Sequence, residues 1–273
     1  MASVFLSHDF ISWEPAAKCK PTHLIWLTIL NSFDIFLLLL IEEVYMSKKI
    51  FITGTGTDVG KTYVSGLILK KLNELGLSCG YYKAAMSGND ADENGKLIPG
   101  DAKFVKEMSG IKQELSEMCP YVYKTAVSPH LASRIEGNPV DINVVKQGFN
   151  AVAASYDYVT MEGSGGILCP IDYDNQKIWL WELIKELDLS VIMVADAGLG
   201  TINSVGLTAE FMKQKGINVK GIIMNHYHKG DVMEEDNIRM CEELTGIKVI
   251  AKVSDNDTNL DINGKYLATL YGE

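Results

Sequence analysis

The sequence has no excess of basic residues to build a cationic face. Lys and Arg number 25 against 35 Asp and Glu, for a net charge of −10 and a pI near 5.0 over 273 residues. Nucleic-acid binders neutralise phosphates with Lys and Arg, so this balance argues against a nucleic-acid partner. Cysteine is sparse: five residues, at 19, 79, 119, 169 and 241, odd in number and with no C-x-x-C. Such scatter reads as reduced thiols in a cytoplasmic protein, without a zinc or disulfide framework. Histidine is equally thin. His226 and His228 flank Tyr227 at a spacing that suits neither a helical metal pair nor a ligand motif. His130, after Ser128-Pro129, reads as a general base or as a hydrogen-bonded structural histidine. His8 and His23 fall in the N-terminal leader. There are no internal repeats and no low-complexity linkers. What the chain does have is 47% apolar residues, enough to fill the core of one large α/β domain or two small ones.

Residues 1–45 are unlike the rest. Leu24 to Ile41 is an apolar run broken by Asn31, Ser32 and Asp34. As a membrane anchor it would carry Asp34 near its centre, at a cost of about 2.5–3.5 kcal/mol. As a secretory signal it lacks a small-residue cleavage site. As upstream sequence translated from a start codon called too early, it leaves Met46-Ser47-Lys48-Lys49 to open an ordinary first strand. This third reading fits the residues best, and a membrane partner is disfavoured. Residues 46–273 read as a single catalytic domain.

From Lys48 on, strand and helix signals alternate. Strands are predicted at 50–53, 78–83, 158–161, 190–195, 219–224 and 248–251. Helices are predicted at 61–75, 102–108, 143–155, 178–187, 203–215 and 234–244, with a polar acidic loop at 89–100. Such alternation implies an α/β fold, a mostly parallel sheet with helices on both faces. Ligands of such sheets sit beyond the carboxyl ends of the strands. Glycine-rich or polar segments follow strand ends at 54–60, 83–88, 162–166, 196–201 and 225–228.

The first of these segments is the most informative. Gly54-Thr55-Gly56-Thr57-Asp58-Val59-Gly60-Lys61-Thr62 runs strand, glycine turn, helix, which is the P-loop NTPase arrangement. Backbone N–H groups would wrap the phosphates, Lys61 would lie across the β- and γ-phosphates, and the Thr62 hydroxyl would ligate Mg²⁺. The loop departs from the common pattern: five residues separate Gly54 and Gly60 instead of four, so Thr55 takes the first glycine position.

Four further residues draw attention. Lys83 lies just past a buried run and reads equally as a rim ammonium or a solvated surface lysine. Asp101, in Gly100-Asp101-Ala102, is a first-turn or N-cap acid, or a Mg²⁺ ligand. Glu162 ends an apolar strand ahead of Gly163, Gly165 and Gly166, where P-loop proteins place a second Mg²⁺ contact. Asn225 closes a strand, as a turn residue or as an amide that pairs with an adenine edge.

Taken together, 46–273 resembles the dethiobiotin synthetase family of biotin synthesis. The resemblance rests on GTGTDVGKT (54–62), YKAAMSG (82–88), GDA (100–102), SPH (128–130), MEGSGG (161–166), GLGTIN (198–203), MN (224–225) and GKY (264–266), in the family's order. It implies an ATP- and Mg²⁺-dependent ring closure in which one amine of 7,8-diaminopelargonic acid captures CO₂ as a carbamate. The carbamate is then activated as a carbamic-phosphoric anhydride, which the second amine attacks. It implies that Asp58, Val59, Gly60, Lys61 and Thr62 hold ATP, and that Asn225 reads the adenine. Mg²⁺ would sit on Thr62, Asp101 and Glu162. Lys61, Lys83 and Thr57 would form the catalytic set, with Lys83 and Ser87 on the carbamate and phosphate region. It further implies a homodimer in which Gly198, Leu199 and Gly200 reach across to the partner's substrate carboxylate.

Three departures stand out: Asp58 where Glu is frequent in relatives, Ala84 where Pro is frequent, and no proline in Val253-Ser254-Asp255. The rival readings are a cobyrinate-type amide synthetase and a partition-type switch ATPase. The first leaves no length for a glutaminase domain. The second usually needs a lysine early in the phosphate loop, which is absent here.

Overall fold

Strand β1 (Lys48–Gly54) is flanked by β5 (Tyr158–Gly166) on one side and β8 (Val191–Asp196) on the other, all parallel. The computed structural model describes residues 47–272, so the leader and its three readings lie outside the described residues. The main sheet has six strands in the order β10-β9-β8-β1-β5-β2, every pairing parallel, with β2 at Cys79–Lys83, β9 at Val219–Asn225 and β10 at Val249–Lys252. The intervening β3 (Ala85–Met86), β4 (Tyr121–Val122), β6 (Pro170–Asp172) and β7 (Ile178–Trp179) form two small separate pairs.

Nine helices occur among the described residues: α1 Lys61–Glu74, α2 Gly100–Ser109, α3 Leu115–Met118, α4 Pro129–Glu136, α5 Ile142–Ser155, α6 Leu180–Glu186, α7 Thr201–Gln214, α8 Val232–Thr245 and α9 Gly264–Thr269. None is long and apolar enough to cross a membrane. A parallel sheet must be buried on both faces, and side chains of alternate strand residues go to opposite sides. Two cores result. Ile50, Ile52, Tyr81, Ile192 and Val194 pack with Val64, Leu67 and Ile68 of α1, Val105 of α2 and Leu267 of α9. Phe51, Tyr82, Val159, Met161 and Met193 pack with Phe149 of α5, Leu183 of α6 and Val205 of α7.

The expected strands and longer helices are present, with their ends adjusted. Thr201 and Ile202 join α7, because Gly200 at φ 91° starts the helix earlier than the apolar periodicity indicates. The helix expected from 178 begins at Leu180. Ile178 and Trp179 instead pair antiparallel with β6, and the Glu182 carboxylate accepts from the Trp179 N–H at 2.9 Å, fixing the helix start. The glycines after Glu162 do not end β5, which runs on to Gly166 beside Gly54. Helices α3 and α9 and the short strands are too brief to show a period.

Leu67 is fully buried between α1 and the sheet. Leu67→Ala is expected to cost about 2–5 kcal/mol in urea unfolding, whereas Ile135→Ala on exposed α4 changes stability by about 0.5 kcal/mol or less. Equal effects would contradict this placement of the core.

Candidate active site

The glycine loop closes on itself before α1 begins. Gly54 has to be glycine: a first side-chain carbon there would lie 2.7 Å from Val59 Cγ2 and 2.9 Å from the Gly56 carbonyl. Gly60, at φ 83°, hands the chain to α1 without a side-chain cap, leaving the first-turn N–H groups to an anion. Asp58 is also left-handed, at φ 61°, a conformation that short Asp tolerates better than most residues. The buried Lys61 Nζ donates to the Gly56 carbonyl at 2.9 Å. From the far side Asn225 Nδ2 donates to the Val59 carbonyl at 3.1 Å, so the amide is packed against the loop itself.

Beyond the loop, four charged or hydroxyl side chains converge. Glu162 is 1% exposed. Its Oε1 accepts from Thr62 Oγ1 at 2.8 Å and from Lys83 Nζ at 2.7 Å, and Lys83 Nζ also donates to Asp101 Oδ2 at 2.6 Å. The register explains the meeting. Lys83 is directly opposite Glu162 on the neighbouring strand, and Asp101 stands in the first turn of α2. Asp101 is thus a first-turn acid that also grips the lysine. Burial alone would pull the Lys83 ammonium down, but Glu162 and Asp101 outweigh it and hold it above the ordinary lysine value. Lys61 has no such partner, so burial and then the Lys83 charge lower its pKa.

These residues line a cavity of about 610 Å³ together with Thr57, Asp58, Gly60, Ser87, Ser164 and Gly165. Of the residues singled out in the sequence, Thr57, Asp58, Gly60, Lys61, Thr62, Lys83, Ser87, Asp101 and Glu162 share this space. Val59 and Asn225 support it from behind. Gly198, Leu199 and Gly200 do not belong to it. Leu199 and Gly200 border a separate cavity of about 980 Å³ beside α7, and Leu199 is 92% exposed. That cavity is larger, but among the described residues its charged lining is only Glu210 and Lys213. The smaller cavity holds the charged network of Lys61, Lys83, Asp101 and Glu162.

The three histidines among the described residues are engaged elsewhere. His130 Nδ1 contacts Ser128 Oγ at 3.1 Å, His226 Nδ1 contacts Asp196 Oδ2 at 2.7 Å, and His228 Nδ1 contacts Glu234 Oε1 at 2.9 Å, the last raising the His228 pKa. None lines the 610 Å³ cavity. Cys79, Cys119, Cys169 and Cys241 are free thiols, and burial pushes Cys169 up to about 11. Among the described residues no group of three or more His, Cys, Asp or Glu could hold a metal. Around Lys83 the hard oxygen donors joined in one network are the carboxylates of Asp101 and Glu162 and the hydroxyl of Thr62.

Residues 48–260 match the AAA domain family. The chain is 49% identical over 227 residues to the ATP-dependent dethiobiotin synthetase of Brachyspira hyodysenteriae, covering 83% of this chain and all of that relative. It is 46% identical over 221 residues to that of Clostridium novyi, covering 80% of this chain and 92% of the relative. The chain belongs to the dethiobiotin synthetase family. It is therefore an ATP-dependent enzyme of biotin synthesis, on a P-loop NTPase-type α/β fold. Among solved structures, a ParA family ATPase from Chlorobium tepidum aligns at TM-score 0.45 and 12% identity, over 77% of this chain and 86% of that one. A likeness of that size speaks to neither activity nor partner.

Two site features escaped the sequence reading. Tyr81 donates to Glu162 Oε2 at 3.0 Å, and Ser164 Oγ donates to the Ala85 carbonyl at 2.9 Å. A signal for Tyr81 existed: residues 81 and 83 of one strand share a face. The partner on that face became visible only with the pairing register.

Removing Lys83 strands a buried carboxylate. Lys83→Met is expected to destabilise this dethiobiotin synthetase family member by about 3–5 kcal/mol in urea unfolding, and adding Glu162→Gln is expected to restore part of the loss. A single variant as stable as the parent would show that the ion pair does not carry the Glu162 charge.

Proposed function

We propose that the chain converts 7,8-diaminopelargonic acid, CO₂ and ATP to dethiobiotin, ADP and phosphate. The observation that supports it best is the pair of buried ammoniums, Lys61 and Lys83, in one cavity behind the glycine loop. The reaction brings a carbamate anion against a triphosphate, and cations in a water-poor cavity offset that repulsion.

One neutral amine of the substrate adds to CO₂, forming an N–C bond and releasing a proton. A carbamate oxygen then attacks the γ-phosphorus while the bond to the ADP oxygen breaks. The second amine attacks the carbamoyl carbon, loses a proton, and expels phosphate as the ureido ring closes. Lys61 and the loop N–H groups of Asp58 to Thr62 hold the transferring phosphates. Lys83 and Ser87 hold the carbamate and the departing phosphate, and Thr57 faces the substrate side. Holding both reactants in one cavity makes each step effectively intramolecular.

Mg²⁺ fits the donor set. Thr62 Oγ1 and Glu162 Oε1 are 2.8 Å apart. Hard carboxylate and hydroxyl oxygens are the donors such an ion takes. Thr62, Glu162 and Asp101 would hold it, with Lys83 released toward substrate. Bound there, the ion neutralises charge developing on the phosphate oxygens. Asn225 keeps one amide donor and its carbonyl for the adenine edge.

The Gly198-Leu199-Gly200 turn opens α7 away from its own cavity, and we assign it to the carboxylate tail of a substrate held by a partner subunit. Exposed Leu199, Leu207 and Leu244 beside it support a homodimer. Four free cysteines suit a reducing, cytoplasmic setting.

Phosphate release should be followed with ATP, Mg²⁺ and bicarbonate, with and without 7,8-diaminopelargonic acid. Release that requires the diamine, with dethiobiotin in equal amount, is the expected result. Release indifferent to the diamine would move the assignment to a switch ATPase.

A further inference from the structure

Glu162 has two carboxylate oxygens and only one of them faces the glycine loop. Oε1 takes both Thr62 and Lys83. Oε2 points back into the protein and accepts from the Tyr81 phenol at 3.0 Å. Tyr81 is fully buried in the core beneath α1, so its hydroxyl has no access to solvent or substrate.

The edge strand β2 arranges this. Tyr81 is opposite Thr160 and Lys83 is opposite Glu162, so two residues two apart on one strand reach one carboxylate from the same face. The backbone of Tyr81 is itself fixed. Its N–H, on the free edge of β2, is taken by Gln113 Oε1 at 2.7 Å, and Gln113 is fully buried. A chain therefore runs from the loop before α3, through Tyr81, to the carboxylate at the glycine loop.

We propose that Tyr81 is a positioning residue that sets the rotation of the Glu162 carboxylate and thereby the affinity of the site for its divalent cation. A carboxylate free to rotate would share its two oxygens between the cavity and the core. With Oε2 held, Oε1 alone is presented 2.8 Å from Thr62 Oγ1. Partners behind a metal ligand typically change affinity by about 10- to 100-fold when removed. The inference rests on the reading of Glu162 as a cation ligand.

The test is Mn²⁺ binding in the presence of ADP, followed by loss of the free-ion EPR signal, for the full chain and three variants. Tyr81→Phe keeps the ring and removes only the hydroxyl. It is expected to weaken Mn²⁺ binding about 10- to 100-fold, while ADP binding in EDTA stays at the parent value. Tyr271→Phe is the control. Its buried hydroxyl meets Thr160 Oγ1 at 2.6 Å on the same strand as Glu162, so it reports the cost of losing a buried phenol bond alone. It is expected to lower the melting temperature and leave Mn²⁺ affinity unchanged. Parent-like Mn²⁺ affinity in Tyr81→Phe, or equal weakening in Tyr271→Phe, overturns the proposal while leaving Glu162 a ligand. Parent-like affinity in Glu162→Gln overturns the cation reading, and the proposal with it.

Discussion

The organising constraint of this molecule is a carboxylate almost wholly withdrawn from water. Glu162 is 1% exposed, and an unpaired charge at such depth costs several kcal/mol. Its compensation comes from segments far apart in the chain: Thr62 opening α1, and Tyr81 and Lys83 on β2. Asp101, opening α2, then balances the remaining side of Lys83. Two helices and two strands are thus tied at one point, at the carboxyl end of the sheet where ligands of such folds bind.

The glycine loop depends on the same frame. Its inner side is closed by Lys61 on the Gly56 carbonyl, and its outer side by Asn225 from β9, two strands away from β1. A first side-chain carbon at Gly60 would stand 2.0 Å from Asn225 Nδ2, so the loop and the asparagine exclude anything larger between them. The loop is consequently held in one shape by its own lysine and by β9.

Much of this was legible in the residues. Helix α1 was expected over 61–75 and runs Lys61–Glu74, because apolar residues at helical spacing and a glycine stop agreed with its burial. Strands β1, β8 and β9 were legible because continuous apolar runs have few alternatives in a sheet covered on both faces. The strand at 178–179 was not, since its partner is set by a hairpin and by the Glu182 cap. Lys83 and Asp101 each had two readings from spacing. The distances of 2.6 and 2.7 Å to Lys83 Nζ join both to Glu162 in one network.

The amino-acid sequence by itself determined the fold class, the glycine loop and the family, because these rest on local order: a buried strand, a turn of small residues, and a helix, repeated along the chain. Only the tertiary structure decided which charges meet. Lys83 faces Glu162 because β2 pairs with β5 in one register, 79 residues apart in sequence. Tyr81 reaches the second oxygen of the same carboxylate for the same reason. The turn at 198–200 parts from the cavity of its own chain because α7 lies on the other side of the sheet from α1. Pairing register and strand order are set by how both faces bury together, and no local window of residues contains that information.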